Sequence, residues 1–180
     1  MNIHVTRSNA VGEVRPPGSK SYTIRAAMCA AMAEGESLIE RALESEDTQA
    51  VLECVAALGA DVSWSPRGVT MRGANLHVAA GPLWCRESGA TLRFLAALAA
   101  TIPGRSVLRC APSLARRPMD PLLDAIRQLG VTCTFDVAAG ELIVEGRRPQ
   151  SARARLSGDI SSQFVSAMLL SGPRYHGGLH

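Results

Sequence analysis

Lys20 is the single lysine among nineteen basic residues. It stands in Pro16-Pro17-Gly18-Ser19-Lys20-Ser21, directly ahead of a helical apolar pattern. A chain that uses arginine everywhere else keeps here a compact, mobile ammonium that the planar guanidinium fork does not imitate. A helix start adds unpaired backbone N–H donors and the positive end of the helix dipole. Together they describe a site for phosphate or carboxylate; a solvated lysine at a helix start fits the position equally well. Two other segments have the same character: Ser88-Gly89-Ala90-Thr91 and Ser161-Ser162-Gln163. Arg25 lies four residues after Ser21, and Arg93 four after Gly89, so each arginine sits one turn into its helix. Singly, each start is an ordinary N-cap. Three at equivalent places in a repeat shift the balance toward one shared anion site.

Arg116-Arg117-Pro118 precedes a further helix pattern. Proline suits a first helical position, which predicts Arg117 at the positive helix end, an unfavourable place for a cation without a bound anion. The equivalent place earlier in the chain holds Glu46-Asp47, the expected helix-start chemistry. Arg117 is therefore a stronger candidate than Arg147, Arg148, Arg153 or Arg155, which read as a solvated connection. Two tempting motifs fail: Gly18-Ser19-Lys20-Ser21 lacks P-loop spacing, and Glu34, Glu36, Glu44, Glu46 and Asp47 fall around turns and a cap, marking no acid/base pair.

The elements that must position these residues come from an internal repeat. Val51, Leu52, Val55 and Leu58 recur as Leu122, Leu123, Ile126 and Leu129, each 71 residues later. Both stripes have the i, i+1, i+4, i+7 spacing of one buried helix face, and both run into Leu-Gly. Two short strands follow each: Ala60–Ser65 with Val69–Arg72, and Val131–Asp136 with Glu141–Glu145. The preceding helices, Ser21–Ala33 and Gly89–Ala100, also correspond, and each leads to a strand, Ser37–Leu43 or Ser106–Cys110. The unit is αβαββ, about 70 residues long, and a strand ahead of each first helix makes it βαβαββ. Repeat one covers about 12–80, repeat two about 81–150, and a third opens over about 151–180 with Arg153–Leu156 as its expected strand. By the arithmetic of the repeat, that third unit is about fifty residues short, so the chain reads as a single, incomplete domain.

Composition excludes several classes. Hydrophobic residues at 47% and charged residues at 19% describe a globular chain. Aromatics at 4% and a net charge of +3 argue against a nucleic-acid partner. No apolar run is long enough to span a membrane, and Met1 leads into no signal-like segment, which points to the cytoplasm. Cysteines 29, 54, 85, 110 and 133 lack CxxC spacing and read as buried free thiols; no metal or organic cofactor is expected.

These motifs resemble one family. Pro17-Gly18-Ser19-Lys20-Ser21 with Arg25 looks like the first motif of the 5-enolpyruvylshikimate-3-phosphate (EPSP) synthases. Ser88-Gly89-Ala90-Thr91-Leu92-Arg93 resembles the second, Arg116-Arg117-Pro118-Met119 the third, and Gly158-Asp159-Ile160-Ser161-Ser162-Gln163-Phe164 the fourth; Asp47-Thr48 also fits. The resemblance implies an α/β fold: an inside-out α/β barrel of βαβαββ units, helices central and sheets outside, with about two and a half units present. It implies a two-domain enzyme that transfers the enolpyruvyl group of phosphoenolpyruvate to shikimate 3-phosphate without a cofactor. Carried over by motif, Lys20, Ser21, Arg25, Ser161, Ser162 and Gln163 would bind shikimate 3-phosphate. Lys20, Gly89, Arg117 and Gln163 would bind phosphoenolpyruvate, with Arg93 in support. The catalytic acid/base groups would come from the second domain, which is absent here, so the isolated chain is expected to be inactive or nearly so. The Ile3–Val5 segment would belong with that domain.

Glu87 stands where many members have Asn, and Ala90 where Thr is common. Glu87 is expected to turn away or to pair with Arg86 or Arg93. Competing readings are the UDP-N-acetylglucosamine enolpyruvyl transferases, which lack the Ser-Lys-Ser start, the RNA 3′-phosphate cyclases, a non-catalytic phospho-ligand domain, and half of a split enzyme.

Overall fold

The computed structural model describes residues 2–9, 11–73, 75–148 and 153–180. Repeat one comprises α1 (Lys20–Met32), β1 (Glu36–Glu40), α2 (Glu46–Ala57), β2 (Asp61–Ser65) and β3 (Gly68–Arg72). Repeat two comprises β4 (Leu83–Trp84), α3 (Gly89–Ala99), β5 (Gly104–Arg109), a short α4 (Pro112–Ala115), α5 (Asp120–Gln128), β6 (Thr132–Asp136) and β7 (Glu141–Gly146). α6 (Ser162–Ser171) opens the third unit.

The two sheets carry the repeat in their strand order. β1-β3-β2 form one antiparallel sheet. β5-β7-β6 form its counterpart, with β4 added in parallel on β5. The helices lie inside. α3 carries Leu92, Phe94, Leu95, Ala96, Ala97, Leu98 and Ala99 and is buried over Thr91–Ala99, Arg93 included, as a largely apolar core helix is. β1 exposes alternate residues to solvent, and β2 exposes all of its residues but Val62. The matched stripes Val51–Leu58 of α2 and Leu122–Leu129 of α5 are buried as their spacing requires, each Leu or Ile contributing roughly 1.5–3 kcal/mol.

The repeat also fixes two close approaches. Gly73 ends β3 against the carbonyl oxygens of Ala30 and Ala33, and Gly146 ends β7 against those of Ala99 and Ile102. Both helix partners are related by the same offset of 69 residues. A β-carbon at either glycine would collide with backbone, so glycine there lets each sheet close onto the C-terminal end of its first helix.

Four sequence expectations are corrected. Arg153–Leu156 is extended but joins no sheet. The Gln128 amide instead takes the Arg155 N–H at 2.7 Å and donates to its carbonyl at 3.0 Å, and the Ala154 N–H reaches the His180 carbonyl. A side-chain amide thus satisfies the backbone that a ladder partner would satisfy. Among the described residues repeat one has no strand ahead of α1, and Ile3 and Val5 are exposed without ladder partners. Arg147 is no free loop residue: its guanidinium donates to the Leu129 carbonyl at 3.2 Å and closes the end of α5. Cys29 is exposed, whereas the other four thiols are buried and all five are free. The adjoining Cys54 thiol, and then burial, push the Cys85 thiol up.

Two outcomes follow from this packing. Gly73→Ala and Gly146→Ala each lose about 2 kcal/mol or more in urea unfolding, whereas Gly81→Ala, which meets nothing within 4 Å, stays within about 0.5 kcal/mol of the native chain. Tyr175, following α6, has a buried hydroxyl without a partner, and burial pushes it up to about 12. The unfolded phenol ionises near 10, so the unfolded state loses protons first and stability falls between about pH 10 and 12. Tyr175→Phe removes that part of the alkaline loss in pH-dependent unfolding.

Candidate functional site

Each of the three first helices begins on a serine. Ser19, Ser88 and Ser161 accept from Tyr22, Thr91 and Gln163 backbone N–H groups at 3.4, 3.4 and 3.3 Å. α1, α3 and α6 pack on one another. α2 starts on Ser45, which forms a reciprocal capping box with Thr48; Glu46 and Asp47 occupy its first turn and are not its cap.

Lys20 pairs with Asp47 at 2.7 Å. The Asp47 carbonyl in turn accepts from Thr91 Oγ1, whose hydroxyl meets Ser88 Oγ at 2.7 Å. One chain of contacts therefore joins the starts of α1, α2 and α3. Arg25 Nη1 donates to the Ser21 carbonyl at 3.1 Å and Nη2 to Ser166 Oγ at 3.2 Å, while its guanidinium lies 5.1 Å from the Phe94 ring centre. Arg25 thus ties α1 to α3 and α6.

Arg93 repeats this arrangement one unit on. Its Nη1 donates to Gln163 Oε1 at 2.7 Å and its Nη2 to the Pro118 carbonyl at 3.2 Å, and it lies 5.3 Å from the Phe164 ring centre. Only 7% exposed, it has no carboxylate partner among the described residues. Burial, and then the neighbouring Arg117 charge, push the guanidinium down from its ordinary value. A β-carbon on Gly89 would sit 2.6 Å from Arg93 Nη1, so glycine there makes room for the guanidinium.

Arg117 does not stand at a helix's positive end. α5 begins at Asp120, because the apolar Met119 is drawn into the core and becomes the N-cap, and Pro121 takes the proline place in the first turn. Arg117 is exposed and its N–H closes the end of α4 on the Leu114 carbonyl. It stays close enough to act on Arg93 electrostatically. Glu87 turns away from both expected partners: it accepts from Ser113 Oγ, while Arg86 grips Glu53 at 2.8 Å. Ser21 and Ser162 are exposed, and neither hydroxyl bonds another site residue. Sequence reasoning missed Phe94, Phe164 and Ser166; the first two directly follow Arg93 and Gln163, the adjacency that signals them.

Lys20 stands at the start of α1, Arg25 and Arg93 lie one turn into α1 and α3, and Arg117 follows α4 close to Arg93, with Asp47 the one carboxylate paired to any of the four among the described residues. Cations beside helix N-termini have the charge and the donors that suit an anion. A crevice of about 1100 Å3 lies at the other end of the helices, between Ala33, Thr101, Arg148 and Arg174. Helix C-termini favour cations, in keeping with the Arg148 and Arg174 that line it.

The family model for EPSP synthase (3-phosphoshikimate 1-carboxyvinyltransferase) matches residues 5–179. The chain belongs to the EPSP synthase family. It is 39% identical to the 3-phosphoshikimate 1-carboxyvinyltransferase of Dehalococcoides mccartyi strain 195 over 99% of its own length and 43% of that protein's. It is 40% identical to the enzyme of the same name from Methanocorpusculum labreanum over 96% of its own length and 42% of that protein's. The EPSP synthase structure from Acinetobacter baumannii superposes with a TM-score of 0.81 at 27% identity, covering 92% of this chain and 38% of that one. The enolpyruvyl transferase NikO from Streptomyces tendae, at 18% identity and a TM-score of 0.53, shares the fold. The chain thus spans about two fifths of the length of its EPSP synthase relatives.

The contacts separate exposed cations from packed ones. Lys20→Ala and Arg117→Ala each leave stability within about 1 kcal/mol of the native chain, because exposed charges contribute little. Arg25→Ala costs about 1–2 kcal/mol through the lost ring contact and hydrogen bonds. Urea unfolding of the three variants distinguishes these effects.

Proposed function

We propose that this chain is the shikimate 3-phosphate-binding part of a 3-phosphoshikimate 1-carboxyvinyltransferase. That enzyme moves the enolpyruvyl group of phosphoenolpyruvate onto the 5-hydroxyl of shikimate 3-phosphate and releases phosphate. What carries the reading is the gathering of Lys20, Arg25, Arg93 and Arg117 at three serine-capped helix starts in a chain of this family. Lys20, Ser21, Arg25, Ser161, Ser162 and Gln163 hold shikimate 3-phosphate; Lys20, Gly89, Arg117 and Gln163 hold phosphoenolpyruvate. Two polyanions placed side by side repel, and cations with helix N-termini offset that repulsion while aligning the reacting atoms. The Lys20–Asp47 pair keeps the ammonium in place until an anion shares it.

Addition to a tetrahedral intermediate and its elimination both need groups that move protons. No pair of residues in this site is arranged for that work, so these groups come from the part of the enzyme outside this chain. The working partner is therefore that remaining domain, and the compartment is the cytoplasm. No helix among the described residues is long and apolar enough to cross a membrane.

Isothermal titration of shikimate 3-phosphate into the 180-residue chain tests the reading. Binding is expected, and Lys20→Ala removes it; binding unaffected by that change, or none to the native chain, contradicts it. The chain alone yields no EPSP when both substrates are supplied, as read by phosphate release.

A further inference from the structure

Arg93 has a more particular role than adding charge. Both terminal nitrogens are engaged, one with the Gln163 side-chain oxygen at 2.7 Å and the other with the Pro118 carbonyl at 3.2 Å. The Phe164 ring fixes the face of the guanidinium. Each terminal nitrogen makes one such bond and the group is only 7% exposed, so Arg93 presents little of its guanidinium to a ligand from solvent, and its Nε is buried without a partner among the described residues. Burying an unpaired cation is costly, and an apolar side chain of similar volume often packs at least as well. Packing alone is therefore a poor reason for an arginine here.

The consequence lies in Gln163. A glutamine amide has an accepting end and a donating end, and either can face a ligand. Arg93 claims the oxygen, which leaves the NH2 group as the free end; it makes no hydrogen bond among the described residues. An oxygen turned toward an anion would repel it, whereas an NH2 donates to it. We propose that Arg93 is a positioning residue that locks the Gln163 amide with its donor end presented to the anion site. Through the Pro118 carbonyl, the same guanidinium holds the loop that carries Arg117, so repeat two and α6 are set in register by one side chain. Gly89 is part of the device, because a side chain there would displace Nη1. The ligand half of this inference rests on the shikimate 3-phosphate reading; the orientation half does not.

Two measurements on the 180-residue chain test it, with Arg93→Lys and Arg93→Met both prepared and folding checked by backbone amide spectra. In ligand-free NMR, the Gln163 NH2 signals of the native chain are expected to be distinct from those of exposed glutamines. Both Arg93 variants move them to ordinary positions, and unchanged signals overturn the proposal whether or not the ligand binds. In calorimetry with shikimate 3-phosphate, Arg93→Lys and Gln163→Ala each weaken binding about tenfold. The double variant is no weaker than Gln163→Ala, because Arg93 acts through that residue. Losses that multiply in the double variant overturn the proposal. If the native chain binds nothing while the Gln163 signals still move on substitution, the functional reading fails and the positioning role is supported.

Discussion

Positive charge held in excess at one end of a helix cluster is the constraint on which this structure turns. α1, α3 and α6 point their N-termini the same way, and each helix adds its own dipole to the field there. Lys20, Arg25, Arg93 and Arg117 raise the charge further, and Asp47 offsets one of them. Arrangements of this kind are unfavourable unless the cations are dispersed or an anion arrives. The fold does both. Phe94 and Phe164 spread two guanidinium charges over aromatic faces, and the exposed Lys20 and Arg117 remain open to an anionic ligand.

The rest of the chain holds that end together. In each complete repeat a glycine-ended strand closes onto the far end of the first helix, and an apolar stripe on the second helix joins the core. The contacts that bring helix starts together cross repeat boundaries: Arg25 reaches Phe94 and Ser166, Thr91 reaches Asp47, and Arg93 reaches Phe164 and Gln163. Site and inter-repeat packing are thus the same set of interactions. α6 packs on α3 through Phe164, Ala167 and Met168 but leaves Leu169 69% exposed, and the EPSP synthase relatives extend well beyond the length matched here.

Much of this was legible in the sequence because repetition amplifies weak signals. The stripes at 51–58 and 122–129 gave both second helices, and three serine starts gave the shared end of the first helices. Errors arose where tertiary contacts compete with local rules. Pro118 satisfies the rule for a first helical residue, yet burial of Met119 moves the start of α5 to Asp120. Arg153–Leu156 has a strand's composition, but the Gln128 amide satisfies Arg155 in place of a sheet. Arg147 looks like a loop residue because its carbonyl partner, Leu129, is distant in sequence. The aromatic platforms were invisible for a related reason: a phenylalanine in an apolar helix reads as core until the guanidinium stacked on it is located.

The most direct test of a shared anion site at three helix starts is a backbone amide NMR titration of the 180-residue chain with shikimate 3-phosphate. The expected result is that amides near Lys20, Gly89 and Ser162 shift together along one saturating curve, while those around the crevice near Arg174 do not. Shifts confined to one helix start, or centred on that crevice, would contradict it.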